Sequence, residues 1–447
     1  MDYKRIKEII SATADEAGIK EYEIYCTESD DMSADTLKQE INAFSSGTSG
    51  GVGFRCIVDG HMGYASSSSL DKDDLTMLVY KAVENAKAIE NDDEVFIYAG
   101  SDSYAELEPV NIEKTDASVL KNCALSLQKK MYDSSEYIAD GTQAGAVYSS
   151  YEVYLYNSHG LELTNRSGFT ACYAAPAVNK DGEAQSDFEI AAGLEGEEVD
   201  KLPQSAIESA LEKIGAVEVD SGKYDIIIDG KQMRSMLSAF SPAFSAKSAL
   251  LGLSLLAGKE GTQVASECVT ITDDPMREGC PFKTNFDGEG VATYKKDVIK
   301  DGKLVTLLYD LTNAKKAGKT TTANGQRSGY AGQVAISPYN FSISAGEDTL
   351  DEMFAKMGDG LYVTELKGLH AGADAITGDF SIESAGFRIK DGKKAEAVKS
   401  FTIAGNFFEM LKSIDALSNE VKWSPLGGAC AFGSPDVYIK NMSVAGK

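Results

Sequence analysis

Ile6, Ile9, Ile10, Ala14 and Ala17 recur every three or four residues near the start of the chain, the interval that lines up one face of an α-helix. Tyr22, Ile24 and Cys26 then alternate with other residues, as in a half-buried strand, and a second strand is expected over Gln39 to Phe44. Asp59-Gly60 separates two further β-like stretches and predicts a tight hairpin. Leu75, Leu78, Val79, Ala82, Ala86 and Ile89 return to helical spacing between Asp71 and Glu90, behind acidic residues that suit the positive end of a helix dipole. Another amphipathic stretch covers Ala117 to Met131, followed by consecutive hairpin strands that turn at Asn157 to Gly160. Pro203 is expected at the start of a short helix carrying Ile207, Leu211 and Ile214 on one face.

The pattern changes after the polar segment Asp220 to Lys223. Beyond it YDIIID reads as a buried strand and Lys231 to Phe240 as a helix, and most of the remainder alternates short β-like runs with turns. Asp301-Gly302 and Asp391-Gly392 mark two hairpins, and a late helix is expected within Gly405 to Ile414. The expectation is an α+β protein of two domains, a mixed α/β domain over residues 1–218 and a β-rich, barrel-like or sandwich-like domain over residues 219–447 with a few helices.

Composition narrows the function classes. The chain has 447 residues, 43% apolar and 25% charged, as in a folded protein with a sizeable core. Its formal net charge of −26 opposes direct binding to nucleic acid or to an anionic membrane, and no apolar run reaches the roughly 18 to 20 residues of a membrane span. The first residues lack an apolar secretory core, and the seven cysteines are scattered without a CxxC pair, so free thiols and a cytoplasmic location are expected.

Candidate chemistry is sparse. The glycines of SSGTSGGVGF lead into a strand rather than a helix, so turns and close packing explain them better than phosphate binding. No GxSxG elbow with a following acid and histidine appears, and His61, His159 and His370 are scattered, with His61 and His159 in expected hairpin turns. His370 stands in a glycine-rich loop close to Asp374 and Asp379. Asp273-Asp274-Pro275 reads as a turn device. Lys315, Lys316, Lys319 and Arg327 form a basic concentration, either a solvated helix face or a contact for an acidic partner or a peptide carboxylate.

Several segments, in order, resemble the TldD/PmbA family, once called modulators of DNA gyrase and now grouped with metallopeptidases. They are GVGFRCIVDGHMGYASSSSL, AGKEGTQVASECVTITDDP, DGKLVTLLYDLTNAKKAGKTTTANGQRSGY, ITGDFSIESAGFRIKDGK, FTIAGNFFEMLKSI and the tail SPDVYIKNMSVAGK. In the third, Ala323 stands where the family pattern has a glycine. The resemblance implies a peptidase system in which D-type subunits carry an HExxxH zinc motif just upstream of the AGKxG segment. Here that window, Lys231 to Ser248, contains no His, Asp, Glu or Cys and is interrupted by Pro242. The expectation is therefore an E-type, PmbA-like, non-catalytic subunit with no cofactor of its own, zinc being held by a D-type partner. The implied partners are that subunit and a peptide substrate, in a homo- or heterodimer. Substrate-groove candidates are Asn324, Arg327, His370, Asp374 and Asp379. Two alternatives stay open, a peptide-binding or scaffolding homodimer without activity, and a stand-alone metallopeptidase whose rebuilt metal site uses His370 and Cys430, since D-type members use a cysteine near the C-terminus as a ligand.

Overall fold

The computed structural model describes residues 1–90, 94–108, 112–424 and 430–447. The first half is built on one antiparallel sheet. Its strands are β1 (Glu21–Leu37), β2 (Glu40–Val58), β3 (His61–Ser67), β4 (Gln143–Asn157), β5 (Glu162–Ala175) and β6 (Glu189–Ala192), in the order β3-β2-β1-β4-β5-β6. Strand periodicity decides what each face does. Tyr22, Ile24, Cys26, Val52, Phe54 and Cys56 face helices α1 (Tyr3–Glu16) and α2 (Lys72–Lys87). Farther along the same strands, Met32, Ala34, Ala144, Ala146 and Cys172 pack under α3 (Ala117–Ser134) and α4 (Glu197–Glu212). One face of the sheet is thereby filled by helices, and the other is left for the second half of the chain.

Two boundaries differ from the sequence reading. The strand expected to end at Phe44 runs on to Val58, and Gly50, Gly51 and Gly53 within it let neighbouring atoms approach closely. Helix α4 begins at Glu197, so Pro203 lies in its interior. The acidic residues Glu197, Glu198 and Asp200 supply the helix start, and burial of Val199, Leu202, Ala206 and Ile207 offsets the hydrogen bond that Pro203 cannot donate.

The second half centres on a closed five-strand barrel. It comprises β7 (Gly222–Ile228), β11 (Gly360–Lys367), β12 (Asp379–Lys390), β13 (Lys393–Asn406) and β16 (Val437–Ala445), and closes where β13 pairs with β16. The pairing β7–β11 is parallel and the other barrel pairings are antiparallel. The β12–β13 hairpin turns at Asp391-Gly392, with φ of 50° and 72°, the left-handed pair that this dipeptide favours. Helices α5 (Gly230–Phe240) and α10 (Phe407–Lys412) pack into the large core through Phe240 and Phe407, whose rings stack with centroids 4.4 Å apart. A second sheet holds β8 (Ile271–Asp273), β9 (Lys296–Lys300), β10 (Asn340–Ile343) and β15 (Ala431–Ser434). Among the described residues no helix is long and apolar enough to cross a membrane, and all seven cysteines are free.

Candidate functional site

The uncovered face of the first sheet carries the odd-numbered residues of β1, namely Glu23, Tyr25, Thr27, Ser29 and Asp31. Opposite them across the ladder stand Arg55, Gly53, Gly51, Ser49 and Gly47 of β2. This face turns from charged through aromatic to hydroxyl-bearing along the strands. It forms one wall of a cavity of about 1080 Å³, whose other wall comes from segments 282–288 and 326–330 and from Tyr339. The cavity therefore lies where the two halves of the chain meet.

Close approach of backbone holds the halves together here. The carbonyl of Tyr330 sits over Gly53 so tightly that a Cβ on Gly53 would lie 2.0 Å from its oxygen, and the Tyr330 ring covers Gly51. The Tyr330 amide donates to Thr27 Oγ1 at 3.2 Å. Below this contact, Glu23 is fully buried between two guanidiniums. Arg55 Nη2 donates to Glu23 Oε2 at 2.8 Å, and Arg327 Nη2 donates to Glu23 Oε1. The Arg327 guanidinium also stacks 4.4 Å from the centre of the Tyr25 ring.

A buried carboxyl pair adjoins this triad. Asp287 Oδ1 accepts the amides of Glu289 and Val291, both at 2.9 Å, and its Oδ2 accepts the Gly325 amide at 3.1 Å. Glu289 Oε2 accepts the Leu311 amide at 2.8 Å. Burial, reinforced by the negative charge of Glu289, pushes the Asp287 carboxyl up to about 8 in spite of its three amide donors. Burial likewise raises Glu289 to about 7, against the opposing pull of Arg55. Burial also raises the hydroxyls of Tyr25 and Tyr339, and the Tyr339 hydroxyl has no hydrogen-bond partner among the described residues.

Of the five groove candidates, Arg327 lines this cavity. Asn324 is buried behind it, where its Nδ2 donates to Asp273 Oδ2 at 2.8 Å and to the Ser337 carbonyl at 3.0 Å. Asp273 also accepts from Lys296 Nζ at 3.1 Å and from the Tyr339 amide at 2.7 Å, so it is a buried hub and not a turn residue. Its neighbour Asp274 is the turn device, accepting the Met276 amide at 3.1 Å. Ala323, buried in the same loop, holds the left-handed conformation at φ 55°, so the chain keeps the bend that a glycine would favour.

The other three candidates lie outside the cavity lining, around the turn into β12. His370 is exposed on α9 (Leu369–Gly372). Asp374 Oδ1 accepts the Ile376 amide at 2.8 Å, and Asp379 Oδ1 accepts Asn406 Nδ2 at 3.0 Å. These are turn-closing contacts. Cys430 is partly buried, and burial together with nearby Asp273 raises its thiol. Among the described residues no three His, Cys, Asp or Glu side chains gather in a way that could hold a metal ion, and His370 and Cys430 belong to no such group. Lys315 pairs with Glu94 and Lys319 with Glu260, each at 2.6 Å, so these lysines do not join Arg327.

Sequence reasoning passed over Glu23, Arg55, Asp287, Glu289 and Tyr339. The signal for the first two was a charged residue in the middle of an otherwise apolar strand segment, Tyr22 to Cys26 and Phe54 to Ile57. Only the pairing register brings those charges opposite each other.

Profiles of three domains of one family match this chain. The PmbA/TldA metallopeptidase C-terminal domain matches residues 221–446, domain 1 matches residues 22–88 and the central domain matches residues 111–214. The chain belongs to the PmbA/TldD metallopeptidase family. It is 28% identical over 404 residues to a Methanocaldococcus jannaschii protein of unassigned function, covering 89% of this chain and 92% of that protein. Metalloprotease PmbA of Escherichia coli O157:H7 is 24% identical over 417 residues, covering 90% of this chain and 88% of PmbA. The crystal structure of TldE from Thermococcus kodakarensis superposes with a TM-score of 0.88 at 23% identity, over 99% of this chain and all of TldE, a likeness of fold. Helix α5 is where the resemblance would put metal ligands. Its buried face is Met233, Met236, Leu237 and Phe240, and Pro242 in the single 3-10 turn after it ends the helix.

Proposed function

We propose that this chain is the E-type, PmbA-like subunit of a cytoplasmic peptidase, working beside a D-type subunit that holds the zinc and cleaves the peptide. The observation that carries the reading is the apolar face of α5. Where the resemblance puts metal ligands, this helix offers methionine, leucine and phenylalanine to the core. A chain without imidazole or carboxylate donors there has nothing with which to activate a zinc-bound water at that helix. What it contributes instead is the cavity between its halves, with a hydroxyl and aromatic wall suited to an extended peptide.

The test is peptide cleavage by a D-type subunit with and without this chain, together with metal analysis of the chain alone. A gain in cleavage on mixing, and less than stoichiometric zinc in the isolated chain, are expected. Stoichiometric zinc in the isolated chain, lost in His370→Ala, would sink the reading. A second reading is a peptide-binding homodimer without activity, in which the cavity between the halves of each chain binds peptide and nothing is cleaved. Sedimentation that shows the same self-association whether or not a D-type subunit is present would select it.

A further inference from the structure

We propose that the cavity recognises a carboxylate on its peptide, either the C-terminus or an acidic side chain, and that Arg327 anchors it. The inference rests on the peptide reading of the cavity and adds the chemistry that the cavity selects. Its first support is the charge balance of the floor. In a chain of net charge −26, one carboxylate, Glu23, is shared by two guanidiniums, with each of its oxygens taking a different arginine. Lys283 joins Arg327 in the lining, and its ammonium has no carboxylate partner among the described residues. The carboxyls nearby cancel only part of this surplus, through Glu289, which burial raises to about 7 against the pull of both guanidiniums. Asp287 spends both oxygens on three backbone amides, and burial holds it largely protonated near neutral pH. Asp31 lies at the exposed end of the wall, where it accepts from Ser149 Oγ.

The second support is a pair of stranded donors. Arg327 is 9% exposed and Tyr339 5% exposed, both line the cavity, and neither the Arg327 Nε–H nor the Tyr339 hydroxyl has a partner among the described residues. Buried polar groups are nearly always paired, and an unpaired one is costly. Both groups belong to residues that line one cavity, beside a guanidinium that engages Glu23 through Nη2. Arginine binds a carboxylate by a fork of parallel N–H donors, which a lysine cannot reproduce. The rest of the wall, with Thr27, Ser29 and Ser167 among Tyr151, Phe169 and Phe282, offers contact area without marked side-chain selectivity.

The experiment is calorimetric titration of the full chain with three probes. They are an acetylated Ala-Ala-Phe-Ala-Ala peptide as the free acid, the same peptide as its C-terminal amide, and the amide with a central glutamate. The free acid is expected to bind at least about tenfold more tightly than the plain amide. Recovery of that affinity by the glutamate amide assigns the site to acidic side chains, and recovery by the free acid alone assigns it to peptide termini. Arg327→Gln should bring acid and amide within about twofold of each other, and Arg327→Lys should fall between. Tyr339→Phe removes a hydroxyl with no hydrogen-bond partner among the described residues, so it should keep wild-type stability and lose about threefold in affinity for the acid, which covers the case of an unfolded Arg327 variant. Equal affinity for acid and plain amide overturns the carboxylate inference and leaves the peptide reading standing. Binding of none of the three probes overturns both.

Discussion

Asp287 is the residue whose protonation the fold changes most plainly. Its carboxyl titrates near the ordinary 3.8 when the chain is unfolded and near 8 when folded, because burial and Glu289 disfavour its charge. The folded protein therefore holds a proton that the unfolded chain has released. The associated stability is complete below about pH 4 and is lost as pH rises through about 8, at up to roughly 1.4 kcal/mol per pH unit. Asp287→Asn cannot titrate. It keeps an oxygen for the amides of Glu289 and Val291 but turns an NH₂ toward the Gly325 amide, so at pH 5 it should be less stable than wild type by about 1–3 kcal/mol. That deficit should shrink and then reverse between pH 5 and pH 8.5, because wild type loses roughly 4 kcal/mol over that range, as followed by urea denaturation. A deficit that stayed constant over the range would mean that the folded protein keeps Asp287 ionised.

At the scale of elements, α5 and α10 show how core packing has taken over a helix face. Phe240 and Phe407 are both fully buried and stacked, and Phe240 also meets Phe380 edge-on at 6.5 Å between centroids. Phe407→Ala should therefore cost about 3–5 kcal/mol, and Phe407→Leu markedly less, in equilibrium unfolding. A cost below 1 kcal/mol for the alanine variant would show that the two helices do not share a packed interior. These elements were legible in the sequence because helical spacing and Asp-Gly turns are local signals. Asp59-Gly60, Asp301-Gly302 and Asp391-Gly392 all adopt the positive φ pair of tight hairpins. Helix α4 was misjudged at its start for an equally local reason: proline favours a first turn, but burial around Pro203 outweighed that preference.

For the whole molecule, what joins the halves was not legible, because it depends on residues far apart in the chain. Glu23 and Arg327 are 304 positions apart, and nothing local distinguishes Gly53, which lies under Tyr330, from Gly47, which lies under nothing. Periodicity could say that one face of β1 is polar, but not that a loop from the second half would close over it. This contrast supplies a test of how the halves are held. Both glycines belong to β2, and neither needs a positive φ. A methyl at Gly47 would meet no atom within 4 Å, whereas at Gly53 it would lie 2.0 Å from the Tyr330 carbonyl oxygen. Gly47→Ala should thus leave stability within about 0.5 kcal/mol of wild type. Gly53→Ala must lift the 326–330 loop and draw Arg327 away from Glu23, leaving a buried carboxylate less well neutralised. It should cost about 3 kcal/mol or more, and split or broaden the calorimetric melting transition as the halves uncouple. If the two alanine variants melt alike, the loop is not seated on β2, and the cavity it encloses does not exist in solution.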